Sequence, residues 1–492
     1  MTWLEYHELT KHSAESLRRT PHYLDWANMP NPFRHYEGVP VLDLPADPPA
    51  PQISALEVLE GKIGNNLARD GAEFLSQLML YSASISASKR VPSTGALYSL
   101  RVNPSSGNLH PTEFHFCPRG LADWPDGLYH YRPSSHMAEQ RAIGDFGGKL
   151  VNNSTPLIFA LTSIAWREAW KYRDRAYRYC LLDIGHAWQA LTLAARSLGS
   201  ESFALGYFLD DRVAESCLLS ADEWPMLIVE LHGPSIPVRM LDPVETILFG
   251  GQPNRLSEEQ KTYPLIERIH TATKLSTEST IPSLGEPKVS GRGQVSLPPQ
   301  ISTSHSFGDV VRTRRSALDF RGGGESISFP QLATLLSATK EPLFADFATH
   351  RYVHLYLYVH RVEGLEPGVY RFWPEHAELE RIKAGDQRLV AAALSLGQDL
   401  AGNACVAFSM IGDFENAASR YGDRGYRYVH FEAGAIGQRM YLAAEALGLG
   451  ATGIGAFFDE EVNRYLGLSS ELGRVVYHFA IGYPVVDPRL EA

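Results

Sequence analysis

Residues 171–199, KYRDRAYRYCLLDIGHAWQALTLAARSLG, recur 249 positions later as RYGDRGYRYVHFEAGAIGQRMYLAAEALG, residues 420–448, with 13 of 29 positions identical. A self-match at fixed offset constrains architecture before it says anything about chemistry. The register continues: Gly206, Phe208, Asp210 and Val213 fall on Gly455, Phe457, Asp459 and Val462, and Gly233 falls on Gly482. GLYHYRPSSHMAEQ from Gly127 matches GVYRFWPEHAELER from Gly368 in pattern. The chain therefore reads as one domain joined to a diverged copy of itself.

The expected divisions are an N-terminal arm and proline-rich linker (1–54), a first unit (55–249), a connection rich in Pro, Ser and Gly (250–305), and a second unit (306–492). The arm opens as a capped helix, and residues 37–54 read as extended. Apolar spacings of three and four predict helix over ALEVLEGKIGNNLA and FLSQLMLYSASIS. Alternation predicts strands at EFHF, GLYHYRP, LIFALTSIA and VHLYLYV. Ala187, Leu191, Ala194 and Leu198 share one helical face, as do Ile436, Met440, Ala443 and Leu447, and Gly199 and Gly448 are placed to end those helices.

Net charge of −11 disfavours a nucleic-acid partner. No apolar run of about 18 residues predicts a membrane span. Four scattered cysteines without a CxxC predict reduced thiols, no zinc site and a cytoplasmic protein. His350, His354 and His360 on one strand would lie too far apart for a common metal ion.

Four short motifs could carry chemistry. Arg314-Arg315-Ser316 sets two guanidiniums beside a hydroxyl, which suits a phosphate, although short basic turns are usually solvated. Ser105, Ser106 and Asn108, within Pro-Ser-Ser-Gly-Asn, offer polar groups for the edge of a heterocycle, or a plain helix N-cap. Gly453-Ile454-Gly455-Ala456 lets a backbone approach a ligand, or simply turns the chain. Lys171-Tyr172 is a candidate acid/base pair, or a salt-bridged helix surface.

Taken together, these segments resemble the nitroreductase superfamily. GAIGQRMYLAAEALGLGATGIGAFFDEEV followed by YHFAIGYP resembles its most recognisable region, and RRSALDF and PSSGNLHPTEFHF resemble two cofactor-binding signatures. GLYHYRP, Lys-Tyr ahead of YRY, and GIGAFFD resemble the SagB-type dehydrogenases, which oxidise azolines to azoles in modified peptides. The resemblance implies an α+β sandwich with a mostly antiparallel sheet between helices, a dimer with FMN in its interface, and here tandem nitroreductase-like domains forming an intrachain pseudo-dimer. It implies that Arg314, Ser316 and Arg489 hold the FMN phosphate, that the Gly455 backbone faces the flavin, and that Ser106 and Asn108 bond its pyrimidine edge. Lys171 and Tyr172 would handle the substrate proton.

These residues complete one composite site only. Where the reciprocal site needs Arg-Arg-Ser the first unit has ALEVLEGKIGNNLARD, and where it needs Ser-Ser-Gly-Asn the second has FATHRYVHLYLYV; Lys-Tyr has become Arg420-Tyr421. One FMN per chain is expected. Leu318 stands where the family usually has a second basic residue, so the resemblance implies a lowered flavin potential, disfavouring ordinary NAD(P)H-driven nitroreduction, unless Arg321, Arg351 or Lys340 substitutes. The implied function is FMN-dependent azoline-type dehydrogenation of a peptide or small molecule. The alternatives are an NAD(P)H-dependent nitro or quinone reductase and a flavin-free scaffold of a peptide-modifying complex.

Overall fold

The computed structural model describes residues 1–19, 23–65, 68–92, 95–240, 245–277, 291–469 and 471–490. Part of the connection, 278–290, and Asn66 and Leu67 of the first helical stretch lie outside them.

Two antiparallel sheets follow the same plan. The first runs Ile247–Leu248, β5 (Met137–Ile143), β4 (Gly127–Arg132), β3 (Thr112–Pro118), β6 (Leu157–Ser163), β8 (Trp224–His232) and β7 (Glu201–Leu205). The second runs Val295–Ser296, β11 (Glu378–Ala384), β10 (Gly368–Trp373), β9 (Val353–Val359), β12 (Val406–Gly412), β14 (Arg474–Gly482) and β13 (Gly450–Ile454). A separate hairpin, β1 (Ile85–Arg90) with β2 (Leu97–Arg101), reaches from the first unit to the second, where Arg90 N donates to Arg489 O at 2.9 Å. The last strands correct the sequence register by one residue. Gly482 faces Gly450 while His232, not Gly233, faces the equivalent Glu201.

The repeated segments form α3 (Ala176–Ser197) and α6 (Gly425–Ala446), ended by Gly199 and Gly448 at φ +78° and +70°. A single apolar face underestimates their burial: every residue of α3 is buried, including Arg178, Asp183, His186 and Gln189. The reason is that α3 packs on α6 as well as on its own sheet. A Cβ on Gly185 would lie 2.2 Å from Phe431 O, and one on Gly434 2.1 Å from Leu182 O. These glycines are equivalent in the repeat, so the helices cross at its pseudo-twofold point.

Buried ion clusters flank the crossing. Asp459 accepts from Arg175 at 3.0 Å and Arg178 at 2.8 Å; Asp210 accepts from Arg424 at 2.6 Å and Arg427 at 2.8 Å. Each cluster joins the two units, and each is closed by a short helix. From α1 (Trp3–Leu9) and the residues after it, His7 O and Thr10 O accept from Arg178 and Arg175, and His12 N donates to Asp459. From α4 (Pro264–Thr273), His270 O and Thr273 O accept from Arg427 and Arg424, and Leu275 N donates to Asp210.

The 250–305 stretch, read as a connection, thus contains a second copy of the arm. His7, Thr10, Lys11 and Ser13 recur as His270, Thr273, Lys274 and Ser276. Two other expectations also change. Val41–Asp43 of the proline-rich stretch pairs with β5. Helix at ALEVLEGKIGNNLA is confined to Ala55–Leu59, because Gly61 turns the chain at φ +94°.

Removing one carboxylate strands two buried guanidiniums. Asp459→Ala should cost about 3–5 kcal/mol in urea unfolding, and Asp210→Ala a similar amount. Both carboxyls sit below their usual pKa, despite burial, because of the paired arginines. Their contribution should be complete above about pH 3.9, the unfolded value, and lost as pH falls below it through the lowered folded values.

Candidate functional site

A cavity of 340 Å³ lies between the units. The first unit supplies the loop 103–108, Tyr172 at the end of α2 (Ala165–Tyr172), and Tyr179 and Asp183 of α3. The second supplies Arg314, Arg315 and Ser316, which follow α5 (Phe307–Thr313), together with Tyr441, residues 452–456 and Tyr477. Ser105, Ser106, Asn108, Tyr172, Arg314, Arg315, Ser316, Gly453, Ile454, Gly455 and Ala456 all line this one cavity, as the composite reading requires.

The basic end is unevenly prepared. Arg314 is 3% exposed; Nη2 donates to Arg101 O at 3.2 Å, while Nε and Nη1 have no partner. Burial lowers its pKa. Arg315 instead braces backbone, donating to Arg312 O, Arg314 O and Ser86 O. Ser316 Oγ and Tyr441 OH lie 2.9 Å apart, and Gly453 N donates to that same hydroxyl. Buried N–H groups left open on a cation fit a phosphate, the group that FMN carries. The residues present therefore fit the cofactor that the resemblance implies.

Arg489 corrects the expectation. It does not line the cavity, because Asp487 holds it at 2.8 Å through both Nε and Nη2. Two further basic groups line the cavity: Arg101, buried with Nε and Nη1 unpartnered, and Lys89 of β1, 2.8 Å from the same Asp487. Arg321 bonds Glu325 and Pro484 O, and Arg351 and Lys340 line a different cavity, so none of these three stands in for the basic residue missing at Leu318.

The serine-asparagine loop uses its polar groups internally. Ser106 donates through N and Oγ to Asp183, Ser105 Oγ accepts from His110 N, and Asn108 bonds Ser99 O and His110. Positive φ at Gly107 and Asn108, both +61°, folds this loop tightly over α2. A Cβ on Gly107 would meet Tyr172 OH at 2.8 Å and Lys171 Nζ at 3.0 Å, so both groups of the proposed pair lie against the loop. Burial, then the nearby Glu168, holds the Tyr172 hydroxyl well above its usual pKa, which keeps it protonated at neutral pH. Behind the loop, burial raises Asp183 to about 7 and holds Glu168 well above the usual carboxylate range.

Sequence reasoning missed Tyr477, His186 and Gln438. His186 Nε2 lies 3.2 Å from Tyr477 OH, and its Nδ1 lies 3.3 Å from Gln438 Oε1. Burial lowers His186 to about 3, so it is a neutral imidazole. With Nδ1 donating to Gln438, Nε2 accepts a hydrogen bond from the tyrosine hydroxyl. Two glycines make room: a Cβ on Gly453 would lie 1.8 Å from Tyr477 OH, and one on Gly437 2.8 Å from His186 Cε1. In the other copy these places hold Ala435 for His186, Trp188 for Gly437 and, by sheet register, Leu227 for Tyr477. That divergence between the copies was the available signal.

The reciprocal half-site is filled by the chain itself. Asp346 accepts from Gly206 N at 2.8 Å and Tyr207 N at 3.1 Å, where Gly206 is the counterpart of Gly455. Phe347 stacks on Tyr428, the counterpart of Tyr179, with ring centroids 4.3 Å apart. Ala204, counterpart of Gly453, bridges to Ala345. At Gly455, among the described residues, no side chain takes the N–H; its carbonyl accepts from Tyr179 OH at 3.0 Å.

The nitroreductase family model matches residues 84–231 and again 311–483. The chain belongs to the nitroreductase family. The crystal structure of a nitroreductase-family protein from Anabaena variabilis superposes with a TM-score of 0.78 at 28% identity, over 98% of this chain and 99% of that one. The tandem nitroreductase arrangement therefore extends over that whole protein as well. Curated relatives include the nitroreductase-family protein MJ1384 of Methanocaldococcus jannaschii, 37% identical over 23% of this chain and 58% of its own length. The microcin B17-processing protein McbC of Escherichia coli is 29% identical over 27% of this chain and 54% of its own length. The trifolitoxin operon protein TfxC of Rhizobium leguminosarum is 32% identical over 22% and 31%. The matches thus span about a third to under two thirds of these relatives. Among the described residues, no helix is long and apolar enough to cross a membrane.

Gly453→Ala should lose about 1–3 kcal/mol of stability in denaturant unfolding, because its methyl group and the Tyr477 hydroxyl cannot both fit. Adding Tyr477→Leu should recover part of that loss.

Proposed function

We propose that this chain is an FMN-dependent oxidoreductase that dehydrogenates an azoline-type ring in a peptide, using one composite site. The observation that carries the reading is the single cavity that joins an open, buried Arg314 to the loop against which Lys171 and Tyr172 pack. Relatedness to the microcin-processing protein favours a peptide substrate over a small aromatic. The buried, free Cys117, Cys180, Cys217 and Cys405 favour a reducing compartment, the cytoplasm.

FMN, when bound, supplies the acceptor for a hydride and its two electrons. The chain's own residues hold and place it. Arg314 binds the phosphate through its open N–H groups. Lys89 would add positive charge from the first unit, and residues 453–456 would supply a backbone wall for the flavin. Dehydrogenation also removes one proton from the substrate ring. Lys171 and Tyr172, packed against the loop of the cavity, would together move that proton away from the substrate ring. Tyr477, backed by neutral His186, holds a second hydroxyl on the opposite unit's wall.

NAD(P)H-dependent nitro or quinone reduction is the second reading, favoured by the similarity to MJ1384. The scaffold reading is disfavoured by the open, buried guanidinium of Arg314, which a chain without a cofactor has no reason to keep.

Lys171→Ala should retain flavin and lower turnover of a thiazoline-containing model peptide by roughly 10²–10⁴-fold, the usual worth of a general base. Unchanged turnover would remove the lysine from the mechanism, and rapid bleaching of the flavin by NAD(P)H would favour the second reading. Arg314→Gln should weaken FMN binding about 10–100-fold, as expected for losing one or two charge-assisted hydrogen bonds, measured by flavin fluorescence without turnover.

A further inference from the structure

The segment that fills the reciprocal half-site does not fill it to the rim. Beside it lies a second cavity of 460 Å³, whose lining includes Lys340, Glu341, Arg351, Glu375, Glu432 and Arg439. In the repeat, Glu432 corresponds to Asp183, which holds the loop of the composite site, and Glu432 likewise accepts from Tyr352 N and Val353 N. Arg439 corresponds to Ala190, so a guanidinium has entered where the first copy carries a methyl group.

Carboxylates line this cavity beside the cations, but among the described residues none lies within ion-pair distance of Arg439, Arg351 or Lys340. Arg439 is 2% exposed; it donates to the carbonyls of Glu341 and Pro342, and its Nε has no partner. Arg351 donates to Val353 O at 3.0 Å and Thr339 O at 3.1 Å. Among the described residues neither arginine, nor Lys340, makes an ion pair. Glu341 is turned to Arg196 at 3.6 Å. Burial raises Glu432 to about 7, so at neutral pH it is only partly charged. Burial also lowers Arg439 to about 9, consistent with a cation short of counter-charge.

A buried guanidinium without counter-charge is costly, and its planar N–H groups match a carboxylate or phosphate. The geometry points to a binding site for a small carboxylate or phosphate anion in this second cavity, held by Arg439, Arg351 and Lys340 and distinct from the composite site. In the first copy Asp183 holds the loop of the 340 Å³ composite cavity; here Asp346 and Phe347 fill the equivalent half-site, and a separate 460 Å³ cavity with basic groups remains beside them. The inference does not rest on the flavin reading, since its residues belong to the other half-site.

The test is isothermal titration of the full-length, flavin-reconstituted chain with inorganic phosphate and, separately, with succinate. One saturable site per chain for either anion is expected, and the one that binds identifies the ligand class. Arg439→Gln should weaken it roughly tenfold or more, the worth of a charge-assisted hydrogen bond. Lys340→Gln, an exposed position that leaves folding untouched, should weaken it by about threefold through lost charge, while Arg314→Gln should leave it unchanged. No saturable binding of either anion would overturn the site. So would binding that survives Arg439→Gln and Lys340→Gln; if it instead falls with Arg314→Gln, the anion sits in the composite cavity.

Discussion

The contact on which the rest of the structure depends is the crossing of α3 and α6 at Gly185 and Gly434. Backbone meets backbone there with no space for a methyl group, and the pseudo-twofold relation between the units follows from that point. Close approach makes both helices buried on all sides, so their polar residues must find partners across the interface. Arg175, Arg178, Arg424 and Arg427 find them in Asp459 and Asp210. His186 and Gln438 pair with each other across the interface, and Asp183 takes Ser106 of its own unit at the cavity. The interface and the candidate site are thus two outcomes of one packing constraint.

Fusion releases the two half-sites from identity. In a symmetric dimer any substitution enters both sites; in a fused pair each copy can diverge alone. One site here keeps Arg314 open, Gly453 and Gly437 small, and Tyr477 on His186. At the other, Asp346 takes the Gly206 N–H, Phe347 stacks on Tyr428, and Trp188 occupies the place of Gly437. The ion clusters, by contrast, survive on both sides, because losing either would leave two buried arginines unpaired. What is symmetric in the structure is what holds the units together, and what is asymmetric is the chemistry.

Much of this was legible in the sequence because α3 and α6 share one register without insertions, which exposes the duplication and places both sheets. The nitroreductase-like motifs then gave eleven residues that do meet in one cavity. The arm repeat was hidden because His7 and His270 stand 263 positions apart rather than 249. Only scattered His, Thr, Lys and Ser positions are shared, so a comparison at the offset of 249 misses it and four identities at 263 do not stand out. Arg489 misled because proximity in sequence to the last strand says nothing about Asp487, which captures it. Lys89 and residues 344–348 were invisible for a similar reason. Each acts on the opposite unit, and neither lies in a segment whose pattern betrays that contact.

The most direct test of the account is the number of flavins per chain, from the visible spectrum of protein reconstituted with excess FMN and the flavin released on denaturation. One FMN per chain is the predicted result, with the reciprocal half-site closed by Asp346 and Phe347. Two per chain would contradict the closure, and none would contradict the composite FMN site.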